Sequence, residues 1–227
     1  MRTDPLSLSD VLVTVPSGRG AEAGAAYTAL LGDPVSEVRW PAANGSLVLG
    51  GDEAWAAFEA ADLAAAAQLA ARRGVSFDEA SGPDGARRAT RVPAIGLTAS
   101  AGSVAGRPAL DHVVFTAPSV DAAVALFAGR LGLDLRLERA FGGLTQMFFR
   151  TRSVIVEVLA GGEAAPEFAL WGLAWRCADL DAEHARLTGL GLTLSEVRAG
   201  RKPGTRVTTV REPSLGTPTI LIEQTAR

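Results

Sequence analysis

Only one cysteine, Cys177, stands in the 227 residues of the chain. That excludes an internal disulfide and a zinc site built from thiolates. Basic charge is not in excess either, since 22 Lys and Arg against 25 Asp and Glu leave a net charge of −3. Nothing in that balance would neutralise a phosphate backbone, so nucleic acid is not an expected partner. No stretch approaches the roughly 20 apolar residues of a membrane-spanning helix, and Met1-Arg2-Thr3-Asp4-Pro5 has no apolar signal core. The expectation is a cytoplasmic protein without a membrane partner. A GxSxG elbow, a P-loop and a dinucleotide fingerprint are also missing, so no nucleotide cofactor is expected. The glycine-containing stretch 199–204 lacks the strand–loop–helix setting of such motifs and reads as a hairpin loop. What remains is an ordinary globular balance, 48% hydrophobic and 21% charged, which excludes intrinsic disorder.

The chain repeats itself, and repeats take precedence over other fold reasoning. Residues 110–134, LDHVVFTAPSVDAAVALFAGRLGLD, resemble 8–33, LSDVLVTVPSGRGAEAGAAYTALLGD. Each reads as a short apolar strand, a turn containing Pro-Ser, an Ala-rich helix and then Leu-Gly. A related unit opens at 171, WGLAWRCADLDAEHARLTGLGL, and a faint partner opens at 55, WAAFEAADLAAAAQLAARRGV. Strand-like segments rich in Val, Ile, Thr and aromatics follow the helices, at 134–139, 145–151 and 153–159 in the third unit and at 192–198, 206–211 and 217–223 in the fourth. The pattern predicts an α+β fold of four βαβββ modules in two domains, 1–100 and 108–227, joined by the small-residue linker 100–109.

Paired βαβββ units that open with Leu-Asp-His-Val-Val-Phe and close with Ile-Leu-Ile-Glu resemble the vicinal oxygen chelate superfamily. That family holds glyoxalases, bleomycin-resistance proteins, extradiol dioxygenases and methylmalonyl-CoA epimerases. The resemblance implies two open barrels, each built from two modules, with helices outside and the site inside the curl. In the metal-using members each unit supplies one ligand from its first strand and one from its last. Here those positions fall on His112 and Glu157 in the third unit. In the fourth they fall on Gly172 and Glu223, a register set by aligning Val120-Asp121-Ala122 with Leu180-Asp181-Ala182. Glycine offers no ligand, so the resemblance implies a metal set of His112, Glu157 and Glu223, with Glu157 or Glu223 also moving a proton. One imidazole and two carboxylates suit a divalent Zn, Fe, Mn, Co or Ni. The N-terminal counterparts, Asp10, Gly50, Trp55 and Thr98, mark a degenerate domain whose barrel is filled by side chains such as Trp55.

Strand alternation places Ala174 and Arg176 on the same inward face as Gly172. Arg176 either clamps a substrate acid group or balances Glu157 or Glu223. Phe149 and Trp171, with Met147 and Phe148, either line a substrate pocket or pack the core. Trp175 points to the helix layer, and Cys177 reads as a small buried hydrophobe. His184 sits on a helix outside the barrel. The expected function is a glyoxalase-like metalloenzyme of lyase or isomerase type acting on a small molecule with neighbouring oxygens. Extradiol cleavage is disfavoured, because that branch ordinarily takes two histidines and one glutamate. The alternative is a metal-free small-molecule binder of the bleomycin-resistance type. The resemblance leaves open whether modules pair within a chain or across a homodimer.

Overall fold

The computed structural model describes residues 4–18, 20–79, 82–161 and 166–224. Two mixed sheets carry the fold. The N-terminal sheet holds β1 (Val11–Val15), β2 (Arg39–Ala42), β3 (Gly45–Leu49), β4 (Trp55–Glu59), β5 (Arg87–Ala89) and β6 (Val92–Thr98) in the order β2-β3-β1-β4-β6-β5. The C-terminal sheet has eight strands: β7 (Ala109–Ala117), β8 (Asp134–Phe141), β9 (Leu144–Arg150), β10 (Ile155–Ala160), β11 (Ala169–Cys177), β12 (Arg198–Ala199), β13 (Thr205–Val210) and β14 (Thr219–Gln224). Their order is β12-β13-β14-β11-β7-β10-β9-β8, so β7 and β11, the opening strands of the third and fourth modules, pair antiparallel at the centre. Modules therefore pair within the chain.

The helices are α1 (Gly20–Leu31), α2 (Leu63–Arg72), α3 (Val120–Ala123) and α4 (Leu180–Gly189). The repeated Ala-Asp-Leu motif is their N-terminal stop signal: Asp62 accepts from the Ala65 N–H at 2.9 Å and Asp179 from the Ala182 N–H at 3.0 Å. Ser119 of the Pro-Ser turn does the same for α3, accepting from the Ala122 N–H at 3.1 Å. Beyond α3 the chain continues as a wider π-helical segment, Val124–Arg130. Its hydrogen bonding ends with the Leu131 N–H bonded to the Leu126 carbonyl at 3.0 Å.

The sequence pattern runs ahead of the backbone in three places. The expected strand at 192–198 is reduced to a bridge between Leu194 and Val210 and the two-residue β12. In the N-terminal modules the matching strand is likewise contracted, to the bridges Ser36–Arg39 and Phe77–Ala89. The stretch 100–109 is a docked connection and not a loose linker. Ala101 is buried, its N–H bonds Glu59 Oε2 at 2.7 Å, and its carbonyl accepts the Ser46 hydroxyl at 2.6 Å.

One apolar core runs through the helix-side faces of both sheets, from Val11, Val13 and Tyr27 to Phe115, Phe127 and Trp175. The Tyr27 hydroxyl reaches across it to the Leu215 carbonyl at 2.8 Å. A separate small cluster, Leu12, Trp55, Ala57, Ala86 and Ala101, fills the other face of the N-terminal sheet. Two glycines make room there. A Cβ on Gly96 would lie 2.5 Å from Trp55 Cζ3, and one on Gly82 would lie 2.6 Å from its Cη2. Trp55 closes that barrel.

Candidate functional site

The third and fourth modules each carry a bulge on the opening strand, and these two bulges build the site. Leu110 and Val113 both reach the helix-side core although they are three apart. Side chains alternate along a strand, so the two residues between them, Asp111 and His112, are left together on the concave face. The ladder breaks register at that point, between Ala174 and Trp175 of the partner strand. On β11 the same spacing recurs: Leu170 and Leu173 enter the core, the register shifts between Leu170 and Gly172, and Trp171 and Gly172 lie opposite.

On the third module this arrangement yields a chain of polar contacts across the concave face. Arg176 donates from Nε and Nη2 to Asp111 Oδ2, both at 3.3 Å. Asp111 Oδ1 lies 3.0 Å from His112 Nδ1, and His112 Nε2 lies 3.3 Å from Glu157 Oε2. Glu157 Oε1 accepts from Gln146 Nε2, whose own Oε1 accepts from Arg139 Nε at 2.7 Å. Arg139 in turn stacks on Phe148, 5.3 Å from the ring centre. The Asp111 side chain is 4% exposed, His112 11% and Glu157 12%, whereas that of Arg176 is 51% exposed. Register accounts for the meeting of His112 and Glu157, because β10 runs parallel to β7 with Ile155 opposite His112 and Glu157 opposite Val114.

Burial alone would raise the Asp111 carboxyl. The hydrogen bond with His112, its charge and that of Arg176 outweigh burial and hold Asp111 below the ordinary carboxylate value. An ionised Asp111 fixes a proton on His112 Nδ1. Two guanidiniums, of Arg176 and Arg139, and two carboxylates, of Asp111 and Glu157, thus lie along this wall around the His112 ring.

The fourth module contributes the opposite character. Ala174, Val207 and Ile222, with Ile220 against them, form an apolar cluster separate from the main core. Ile220 lies beside Ala174 in the β11–β14 ladder as Glu157 lies beside Val114 in the β7–β10 ladder, and Gly172 pairs with Val114 while Ala174 pairs with His112. The position equivalent to Glu157 is therefore Ile220.

Glu223 is the main correction to the sequence reading. Its strand neighbour Leu221 enters the helix-side core, and its cross-strand partner is Arg206, whose Nη1 lies 3.4 Å from Glu223 Oε2. The same oxygen accepts the Leu180 N–H at 3.1 Å, at the start of α4. Glu223 thus caps a helix from the outer face, away from His112 and Glu157. Phe149 is corrected for the same reason: it is fully buried against Phe127, with ring centres 5.3 Å apart, and it is Phe148 that faces the concave side. Met147 likewise lies in the main core. Trp171 is on the concave face and 51% exposed. Arg176 pairs with neither Glu157 nor Glu223. Its partner is Asp111, which sequence reasoning missed, although the apolar residues three apart in Leu-Asp-His-Val and Leu-Trp-Gly-Leu signal a bulge in each strand.

Two of the three implied ligands, His112 and Glu157, meet. Glu223 does not join them, the equivalent position is Ile220, and Gly172 has no donor. Among the described residues no three His, Cys, Asp or Glu side chains are grouped to hold a metal ion. The residues present do not fit the divalent-metal set that the resemblance implied. Elsewhere, His184 Nε2 on α4 lies 3.0 Å from the Ser195 carbonyl, and the Cys177 thiol donates to the Asp179 carbonyl at 3.1 Å. Burial pushes the Cys177 thiol up, away from the thiolate form that a nucleophile needs. No helix among the described residues is long and apolar enough to cross a membrane.

Comparison with known proteins agrees with this architecture. A mutant of 4-hydroxymandelate synthase from Streptomyces coelicolor superposes with a TM-score of 0.69 at 14% identity, covering 99% of this chain and 94% of that one. Methylmalonyl-CoA epimerase from Mycobacterium tuberculosis aligns at 23% identity over 52% of this chain and 88% of its own, with a TM-score of 0.45. A hypothetical protein from Bacillus halodurans C-125 aligns at 17% identity over 53% of this chain and 96% of its own, with a TM-score of 0.47. A comparison with the curated proteins gives no match. At such identities the likeness extends to the fold and no further. Residues 111–209 match the family described as Glyoxalase/Bleomycin resistance protein/Dioxygenase superfamily. The match is confined to that segment, and the chain as a whole has the vicinal oxygen chelate fold in tandem.

Proposed function

We propose that the concave face of the C-terminal sheet is a small-molecule site that works without a metal and moves a proton on its ligand. The observation that carries this reading is His112 held at both ring nitrogens by carboxylates, Asp111 at 3.0 Å and Glu157 at 3.3 Å, beside the apolar cluster that begins at its ladder partner Ala174. Lyase or isomerase chemistry needs a group that accepts a proton and one that returns it. The His112–Glu157 pair serves as both, with Asp111 orienting the ring and stabilising its charged form. Arg176, half in solvent, receives the acid group of the ligand. Ala174, Val207, Ile220 and Ile222 take its apolar body, with Trp171 at the rim.

A second reading, binding without turnover, draws support from Glu157 itself, since both of its oxygens already have partners, Gln146 and His112. One experiment separates the two. Chelator-dialysed protein is incubated in deuterated water with a panel of aryl and branched-chain carboxylic acids bearing a carbonyl next to an exchangeable C–H. Binding is read by thermal shift and exchange by proton NMR. Catalysed deuterium uptake that is lost in Glu157→Gln and His112→Ala supports proton transfer. Stabilisation without uptake supports the binding module. If matching amides stabilise the protein as well as the acids do, the assignment of Arg176 is wrong.

A further inference from the structure

The hairpin β2–β3 of the N-terminal sheet turns at Ala43-Asn44, between the paired residues Ala42 and Gly45. Gly45 is obligatory there: its φ is +155°, and a Cβ would sit 2.0 Å from the Val11 carbonyl oxygen. The turn presses Asn44 against the other half of the protein. Asn44 Nδ2 donates to the Leu110 carbonyl at 2.9 Å and to the Ser153 carbonyl at 3.2 Å, and Asn44 Oδ1 accepts the Leu110 N–H at 2.9 Å. The carboxamide pairs with both backbone groups of Leu110, as a neighbouring peptide group would in a sheet.

Leu110 directly precedes the bulged pair Asp111–His112, and Ser153 stands two residues before Ile155, the residue paired with His112. Asn44 therefore ties together the two strands whose alignment brings His112 to Glu157. Its contacts are reinforced nearby: Asp10 Oδ1 accepts the Ser153 hydroxyl at 2.6 Å, the Arg152 N–H bonds the Leu8 carbonyl at 3.0 Å, and the Ala43 N–H bonds the Pro108 carbonyl at 2.9 Å.

We propose that Asn44 is a positioning residue for the C-terminal site: it fixes the bulge at Asp111–His112 from outside, so the N-terminal half, its own barrel closed by Trp55, sets the geometry of a site it does not line. The idea rests on the site lying at His112. The test, however, uses the empty protein, so it stands or falls apart from whether any acid binds. The chain has two histidines, His112 and His184, and His184 on α4 is an internal control. Full-length protein labelled with 15N-histidine is examined by long-range 1H–15N correlation as wild type, Asn44→Ala and Asn44→Asp. The alanine variant removes all three contacts. The aspartate variant keeps the acceptor for the Leu110 N–H but loses both donors. The expected result is displacement of the His112 ring nitrogen signals toward those of an imidazole without fixed partners, larger for alanine than for aspartate, with the His184 signals in place. Unmoved His112 signals alongside a lowered melting temperature would make Asn44 merely structural and overturn the proposal. So would equal displacement of both histidines, which reports general loosening, or failure of both variants to fold.

Discussion

Arg176→Met removes the guanidinium and keeps most of the apolar stem, so it isolates the charge. The side chain it abandons, Asp111, is 4% exposed and keeps only the His112 contact at 3.0 Å. A fully buried pair broken from one side costs about 3–5 kcal/mol, and an exposed pair contributes about 0.2–1 kcal/mol. Here the carboxylate is buried, but the cation is 51% exposed and both contacts are long, at 3.3 Å. Solvent screening then puts the expected loss between these limits, at about 1–2 kcal/mol. For a chain of this size that is a fall in melting temperature of roughly 2–8 °C. Urea unfolding at constant m-value gives the energy directly, and the cycle with Asp111→Asn isolates the coupling. In the double variant most of the Arg176→Met loss disappears, because no stranded carboxylate remains. In Arg176→Met, binding of a carboxylic acid ligand should weaken by less than the about 2–5 kcal/mol usual for truncating one side of a buried charged contact, because the guanidinium is 51% exposed. A stability loss that ignores Asp111→Asn but is recovered by Glu223→Gln would refute the placement of Arg176 and the outward position of Glu223 together.

Glu223→Ala removes the acceptor at the start of α4 and should cost about 1 kcal/mol, as lost caps do, with no change in ligand binding; a loss of bound metal or ligand would restore Glu223 to the site. Gly96→Ala should destabilise by at least about 1–3 kcal/mol through overpacking against Trp55 and the Arg87 carbonyl, whereas Trp55→Ala should cost about 3–5 kcal/mol as a large-to-small core change; chemical denaturation that finds either one neutral would mean the N-terminal barrel is open. The Asp111 carboxyl is held below its unfolded value, so its stabilisation is complete above about pH 4 and is lost as pH falls through the lowered folded value. Melting temperature against pH should therefore decline less steeply on the acid side in Asp111→Asn than in wild type, and parallel curves would count against an ionised Asp111.

The elements were legible where a local rule governs them. Asp62, Asp179 and Ser119 cap helices with their own side chains, at the turns the repeat marks. Register was not legible, because it is decided by the neighbouring strand. Aligning the helices of the third and fourth modules correctly paired Gly172 with His112, since both are fixed relative to the turn that follows. Carrying that alignment on to the closing strand failed by three residues. The fourth module replaces an expected strand with the bridge at Leu194 and the short β12, so its closing strand meets β11 at Ile220 where the resemblance had suggested Glu223. A one-residue error already reverses the face of a strand, and an odd shift of three does the same. Phe149 illustrates the same weakness on β9, where its neighbour Phe148 has the concave position.

The asymmetry of the two modules is what gives the site its chemistry. The same bulge presents Asp111 and His112 in one module and Trp171 and Gly172 in the other, and the same ladder position presents Glu157 in one and Ile220 in the other. Four like positions would converge on an ion. Divided in this way, they leave charge on one half of the concave face and hydrocarbon on the other. The burial of Asp111 and Glu157 is tolerable only because each has a fixed partner on either side, as an unpaired buried charge is very costly. That requirement links Arg176, Asp111, His112, Glu157, Gln146 and Arg139 into one run of contacts whose removal at any point leaves a neighbour unsatisfied. On the function proposed above, a ligand meets the His112–Glu157 pair at the centre and the accessible Arg176 at the edge, and is selected by where its acid group and its hydrocarbon lie, not by a pair of oxygens able to chelate.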